Sequence, residues 1–526
     1  MAEVVTSVVP LNGNESAASS STEVYAVFGA EPEVLAYAMA KYSRSALSMK
    51  DSLKEISQQK AEKFLNTFYF QYGHRSIADL AHIALAIEKL SILAAIGVAG
   101  EQRWDGQERS TRYQDFRKSG YYTPDFGSDS AARELYLSTI GDLFSAYESV
   151  SESTFRYLAG ITGKPSDMKQ ESYERTLRAR AFDIARYLLP LATNTSLGEI
   201  VNARTLEMQV SHLLSHTHAE VRSLGARLKN AALSAAYNVN HESLARLVEE
   251  IRAVSPELGA RAEGELLKEV RVAPTLVKYA DPNPYETETR RELRQMAREL
   301  MGSAAPEAAP VVDLLEDEPV EIELATTLLY EHCAFPYRQI RRAIEGLSDL
   351  QRQEIIDGGL RHRGRHDEML PAFRAGHEFR FDILMDIGGF RDMHRHRRCI
   401  QIEQPFSTLH GWDTPEELGD AGALDLYSRA MGAAARAVEK LVLSASPEAE
   451  ENSQYAIPLG FRKRTLFKMD FAEAVYISEL RTGPAGHFSY RRAAYAMYEE
   501  VKKKHSTLAQ HFRVHDIREP VDLLKR

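Results

Sequence analysis

The sequence has little cysteine: Cys333 and Cys399 are its only two, and they fall in different segments. Two cysteines cannot build a disulfide framework, and no paired spacing of the kind zinc requires is present, so no metal site is expected. A reducing cytoplasm is the compartment this usage predicts. Long apolar runs are missing too. The longest, Ala81–Val98, contains Glu88 and Lys89 and is shorter than the roughly 20 residues of a bilayer-spanning helix, which predicts a buried helix and no membrane partner. Residues 1–22, ending in Asn-Glu-Ser-Ala-Ala-Ser-Ser-Ser-Thr, lack the charged start and apolar centre of a signal peptide and predict a disordered tail. Positive charge is not in excess: 65 Lys and Arg stand against 75 Asp and Glu, a formal net charge of -10. Such a chain has no broad attraction for nucleic acid or anionic membrane, and any phosphate site must be a local arginine cluster.

What is present is a globular composition, 44% hydrophobic and 27% charged, in 526 residues. That length exceeds one ordinary core and predicts at least two domains. Internal echoes define them. Short opening strands are expected at Glu23–Phe28 and Pro274–Tyr279, each stopping at a proline-bearing turn before a charged helical stretch. Ala185-Arg-Tyr-Leu-Leu-Pro-Leu-Ala returns as Ser453-Gln-Tyr-Ala-Ile-Pro-Leu-Gly, with Tyr187, Pro190 and Leu191 matched by Tyr455, Pro458 and Leu459. Helical periodicity follows each, over Thr205–Lys229 and Phe471–Lys503. The boundary is expected between Ser255 and Leu267, where Ser-Pro-Glu-Leu-Gly breaks a helix, giving domains 23–262 and 263–526. Gly302–Glu318, rich in Ala, Pro and acid, predicts an exposed loop inside the second. The period-2 pattern from His377 to Ile387 is the clearest central strand. Many helix-forming residues around few strands predict an α+β class, with a small central sheet and long helices in each repeat.

The densest cationic cluster, Arg391-Asp-Met-His-Arg-His-Arg-Arg398, directly follows that strand and Gly388-Gly389. A solvated basic helix start would account for the run by itself. Its position at the end of a sheet equally suits an anion such as a phosphate or a flavin pyrophosphate.

Arg395-His396-Arg397 followed by Ile402-Glu403 resembles the signature of the flavin-dependent thymidylate synthases (ThyX), Arg-His-Arg leading into Asn-Glu-x-Ser-x-Arg-Tyr. The second repeat departs from it at Pro405 and Ser407, where that pattern has Ser and Arg. The first repeat shows the opposite loss. Gln107-Glu108-Arg109-Ser110-Thr111-Arg112-Tyr113 resembles the end of the signature, whereas Gly100-Glu101-Gln102 stand where Arg-His-Arg would be. His74-Arg75-Ser76-Ile77-Ala78-Asp79 is similar to the family's His-x-Ser-x-x-Glu flavin segment, and Asn202 and Arg204 match its Asn-x-Arg pair. Arg186 matches the nucleotide-binding Arg of Ala-Arg-x-x-Leu-Pro, for which the second repeat has Gln454. A later nucleotide-binding Arg falls on Arg481 in the second repeat and on Leu213 in the first. The resemblance covers residues 25–240 and 272–510.

The resemblance implies a site assembled from both repeats, because each keeps the half that the other has lost. Glu108, Ser110, Thr111, Arg112, Arg186, Arg395 and Arg481 would bind a pyrimidine nucleotide monophosphate, with Ser110 and Arg481 nearest the chemistry. His74, Ser76, Asn202, Arg204, Arg395, His396, Arg397 and Glu403 would hold FAD. The implied reaction is reductive methylation of dUMP to dTMP with methylenetetrahydrofolate and NADPH, in a homodimer that imitates the family tetramer. Bland readings stand beside these: Arg186 or Arg481 as helix-end charges, His74 as a turn histidine, Tyr113 as core. Asp392 stands where the family has a nucleotide-contacting Gln, and an acid beside a bound anion needs a partner, with Arg391 and Arg398 the nearest in sequence. That departure leaves open another pyrimidine nucleotide or one-carbon donor, and the broken signatures leave open a non-catalytic nucleotide- or flavin-binding scaffold.

Overall fold

The structure is a computed structural model and describes residues 27, 29–41, 49–55, 75–302, 304–315, 319–363, 370–373, 379–509 and 512–524. The expected tail 1–22, the strand Glu23–Phe28 and His74 lie outside these, apart from Val27. Among the described residues no helix is long and apolar enough to cross a membrane.

The α+β class is observed: two small antiparallel sheets sit among long helices. The first sheet has the order β1-β3-β2, from β1 (His82–Ser91), β2 (Asp105–Glu108) and β3 (Asn194–Asn202). The second has the order β4-β5-β7-β6, from β4 (Val312–Leu314), β5 (Phe379–Asp386), β6 (Ile400–Glu403) and β7 (Arg462–Met469). Without its edge strand β4, the second sheet repeats the order of the first. The connections repeat as well. Ser91 caps helix Ile92–Ala99 by accepting from Ala94, and Asp386 caps helix Ile387–Met393 by accepting from Gly389. Asn202 and Asp470 likewise cap the helices Ala203–Leu214 and Phe471–Thr482 that follow β3 and β7.

The two sheets differ in what covers them. β1 alternates buried and exposed residues, as a half-open antiparallel strand does. β5 and β7 are buried on both faces, because helices between Pro284 and Leu360 pack against Ile400, Ile402 and Leu466. Burying that second face buries charges too, and they are paired. Arg464 meets Asp382 at 3.0 Å, and Lys468 meets Glu323 at 2.5 Å.

The repeats join through the echoed Tyr-x-x-Pro-Leu segments. Pro190 bridges Pro458, Leu191 donates to Ile457 while Leu459 donates to Leu189, and Ala192 donates to Tyr455 while Gly460 donates to Tyr187. Each bond in one direction has its counterpart in the other, so this strip marks a local two-fold axis between the repeats. One hydrophobic cluster runs through both, from Ala36 to Phe512.

Several local expectations are corrected. Ala81–Val98 is not one helix but strand β1 followed by helix Ile92–Ala99, with an irregularity at Lys89, whose φ is 60°. Pro274–Tyr279 is not a strand, because Thr275 and Leu276 donate their backbone N–H groups to the Glu33 carboxylate instead of to a ladder. The described residues of Gly302–Glu318 are largely loop but contain β4. The helical stretches Thr205–Lys229 and Phe471–Lys503 are each broken into two helices.

Candidate functional site

The second repeat's cluster begins in the last turn of helix Ile387–Met393 and continues through the turn into β6. The first repeat contributes Glu108 at the end of β2, the loop Arg109–Tyr113 behind it, and Arg186 at the C-terminal cap of helix Gln170–Ala185. The two sets meet across the inter-repeat contact.

Glu108 is the junction. Its carboxylate pairs with Arg391 through one oxygen and lies 3.3 Å from Arg395 through the other, and its side chain is only 5% exposed. Thr111 Oγ1 lies 3.4 Å from Arg391 and 3.5 Å from Arg186. Arg186 also reaches Asp392 across the interface, Nη1 to Oδ2 at 3.5 Å. Arg112 turns inward: Nε donates to Asp183 at 2.8 Å, Nη1 to the Tyr490 hydroxyl at 2.9 Å and Nη2 to the Ala485 carbonyl at 3.0 Å. Burial opposes the Arg112 charge, and Asp183 outweighs it, so the guanidinium stays more basic than usual. Arg481 donates from Nε to His396 Nε2 at 2.8 Å and lies over the Tyr490 ring at 5.3 Å. That bond makes Nε2 the acceptor and leaves the proton on Nδ1, which faces Glu473 at 3.4 Å. Burial lowers the basicity of His396 despite Glu473, consistent with a neutral ring.

The Arg186 guanidinium is incompletely satisfied at two of its nitrogens. Arg186 is 2% exposed, yet its Nε and Nη2 have no hydrogen-bond partner. Buried donors on a charged group are costly to leave unpaired, so such a group marks a place for an acceptor. Arg186 lies close against Gly388, where an added Cβ would stand 3.4 Å from Nε. In the contact network around it, Arg112, Arg186, Arg391, Arg395 and Arg481 stand against Glu108, Asp183, Asp392 and, through His396, Glu473, so the arginines outnumber the carboxylates.

Beside this network lies a cavity of about 920 Å³ between the repeats, lined by His396, Arg397, Gln401 and Glu403 from one side and by Gly100–Arg103 and Glu207–His218 from the other. Glu403 is held there by Lys463 at 2.6 Å and by His394 at 3.4 Å. Arg397 pairs with Asp105 of the first repeat at 2.6 Å.

The structure thus brings Glu108, Thr111, Arg112, Arg186, Arg395 and Arg481 into one network, and gathers His396, Arg397 and Glu403 at the adjoining cavity. Ser110 sits in the same loop, its hydroxyl accepting from the Arg112 N–H at 3.2 Å. The remaining described flavin candidates are elsewhere. Ser76 is exposed, Asn202 serves as a helix cap to Thr205, and Arg204 pairs with Asp79 at 3.3 Å; none of the three lines the cavity. Tyr113 is not core but 51% exposed, because its neighbour Arg112 takes the inward position. Asp392 pairs with Arg186 rather than Arg391 or Arg398, which reach Glu108 and Asp470. Sequence reading missed Asp183, Glu473 and Tyr490, which contact the candidate side chains Arg112, His396 and Arg481 and belong to no motif.

A family model described as Thymidylate synthase complementing protein matches residues 26–235 and again 311–506. A UPF0159 protein of Chlamydia pneumoniae is 30% identical over 507 residues, spanning 90% of this chain and 88% of its own length. A Flavin-dependent thymidylate synthase of Clostridium tetani is 24% identical over 211 residues, 40% of this chain and 80% of that one. Among solved structures, Thymidylate Synthase X of Helicobacter pylori with FAD and dUMP shares 15% identity over 38% of this chain and 88% of that one, with a TM-score of 0.26. The chain therefore belongs to the Thymidylate synthase complementing protein family and carries that family's domain twice in tandem.

Proposed function

We propose that this chain is an FAD-dependent enzyme that reductively methylates dUMP to dTMP at one composite site, with methylenetetrahydrofolate and NADPH as co-substrates. The observation that carries this reading is Arg186, a buried guanidinium with two unpaired donors inside a network where arginines outnumber carboxylates. A phosphate monoester suits that excess of cations and supplies the missing acceptors. Arg186, Arg395 and Arg112 bind the phosphate, with Ser110, Thr111 and Glu108 shaping the loop around it. Arg481, oriented by neutral His396 and by Tyr490, faces the pyrimidine and stabilises negative charge that develops there.

A flavin fits the residues beside it. The cavity of about 920 Å³ adjoins the arginine network and offers His396, Arg397 and Glu403 along its wall. When bound, FAD supplies the redox chemistry, carrying reducing equivalents from NADPH to the pyrimidine. The protein's part is to hold both rings and to exclude water from a site whose cationic side chains are mostly buried. Ser76, Asn202 and Arg204, away from the cavity, and the half-open face of β1 support a homodimer in which a second chain completes the flavin contacts.

The test is to reduce the purified flavoprotein and follow its reoxidation with and without dUMP and methylenetetrahydrofolate. Formation of dTMP supports the reading. Reoxidation driven by a different pyrimidine nucleotide would reassign the substrate, and failure to bind any flavin would leave a nucleotide-binding scaffold.

A further inference from the structure

The arginine network between the repeats already contains an anion of its own. Asp392, in the last turn of helix Ile387–Met393, points its carboxylate across the interface at Arg186, the side chain whose other donors are unpaired. The contact is loose. At 3.5 Å it is at the limit of a hydrogen bond, and it leaves Nε and Nη2 of Arg186 unserved. Burial pushes the Asp392 carboxyl up, but Arg186, then Arg112, Arg395 and Arg481, together pull it below the usual carboxylate range. Three of these, Arg112, Arg186 and Arg395, drawn from both repeats, are those that would meet a phosphate. The fold does not impose an acid here. Aligning the capped helices Ile92–Ala99 and Ile387–Met393 puts Gly97 opposite Asp392, and Gly97 faces only Val221 and Leu213.

We propose that Asp392 is the specificity-determining residue of this site: a built-in counter-ion that occupies the arginine network in place of a phosphate and has to be displaced by an incoming phosphate ester. The inference rests on reading the network as an anion site and goes further by naming what that site discriminates. A resident carboxylate keeps the charged cluster together without ligand and lets only an anion with more charge and more acceptor oxygens compete. Its cost is affinity. Removing its charge raises the positive surplus on the network by one, which should tighten anion binding about tenfold to a hundredfold.

The experiment compares the wild-type chain with Asp392→Asn and with the charge-conserving Asp392→Glu, using inorganic phosphate as the probe. Phosphate binding is measured by calorimetry, and thermal unfolding is followed with and without phosphate. Asp392→Asn should bind phosphate at least about tenfold more tightly than wild type, melt lower without anion and recover when phosphate is added. Asp392→Glu should behave as wild type, and adding Arg186→Ala to Asp392→Asn should remove the gain. The proposal is overturned if Asp392→Asn binds phosphate no more tightly, or if it unfolds whether or not phosphate is present. A dUMP titration separates this from the proposed reaction. Wild type that ignores dUMP, beside an Asp392→Asn variant that gains phosphate, keeps the counter-ion and rejects the substrate. Wild type that binds dUMP, beside an unchanged Asp392→Asn variant, does the reverse.

Discussion

Pro190 of the first repeat lies opposite Pro458 of the second in an antiparallel bridge, flanked by hydrogen bonds that match in both directions. Neither proline can donate, so the strip is held by its neighbours Leu191, Ala192, Leu459 and Gly460. Because the strip begins immediately after Arg186, it sets the distance between that arginine and the helix carrying Asp392. The tandem arrangement thereby brings side chains of both repeats into one network.

The shared network predicts that substitutions in different repeats have the same effect. Arg112→Ala, Arg186→Ala and Arg395→Ala should each weaken dUMP binding by about 2–5 kcal/mol, the loss seen when one partner of a buried charged contact is removed. Arg186→Lys should not restore it, since an ammonium cannot reproduce a planar fork. Calorimetric titration of each variant decides the matter, and normal binding by Arg112→Ala or Arg395→Ala would sink the shared site.

Glu199, on the buried face of β3, gives a prediction about pH. Burial raises its pKa from 4.5 to about 7, against a hydrogen bond from Gln209 at 3.1 Å. A raised folded-state value means that its contribution is intact below pH 4.5 and is lost as pH rises toward about 7. Glu199→Gln should therefore gain stability over wild type at pH 8, by up to about 3 kcal/mol, and little at pH 4.5. Denaturant unfolding at both values tests this, and an equal effect at the two would refute it.

His218 carries the opposite sign. Burial first, then Arg222, lowers its pKa from 6.5 to about 4. The neutral ring's contribution is full above pH 6.5 and is lost as pH falls toward about 4, where the unfolded chain takes up the proton more readily. Replacing it in His218→Gln should flatten the fall in melting temperature between those values. An unchanged pH profile in the variant counts against the assignment.

Gly460 tests the axis between the repeats. A Cβ there would stand 2.9 Å from the Tyr427 hydroxyl and 3.0 Å from the Tyr187 Cβ. Gly460→Ala should cost about 1–3 kcal/mol through overpacking and, by shifting the strip next to Arg186, should weaken dUMP binding as well. Unaltered stability and binding together would show that the strip tolerates movement.

Much of the fold was legible in the sequence where one physical signal dominated. The alternation through Phe379–Asp386 survives in β5 because its residues pack against two different layers. Ala81–Val98 was misread because strand β1 and the helix after it are both largely buried, so hydrophobicity runs across their junction. The better signal was Ser91, whose hydroxyl caps the helix at Ala94. Pro274–Tyr279 was misread because its apolar residues are buried while its backbone is satisfied by a carboxylate more than two hundred residues away.

The sequence by itself determined that the domain is present twice and that the arginines have divided between the copies, since both are matters of residue order and type. Which of those arginines meet, and through which partners, was decided only by the tertiary structure. Glu108 has equal sequence claim to many cations, and packing alone gives it Arg391 and Arg395 from the far repeat. Asp392 is the clearest case. Its neighbours in sequence offered Arg391 and Arg398 as partners, but a helical turn aims successive side chains in different directions. The inter-repeat contact supplies Arg186 instead.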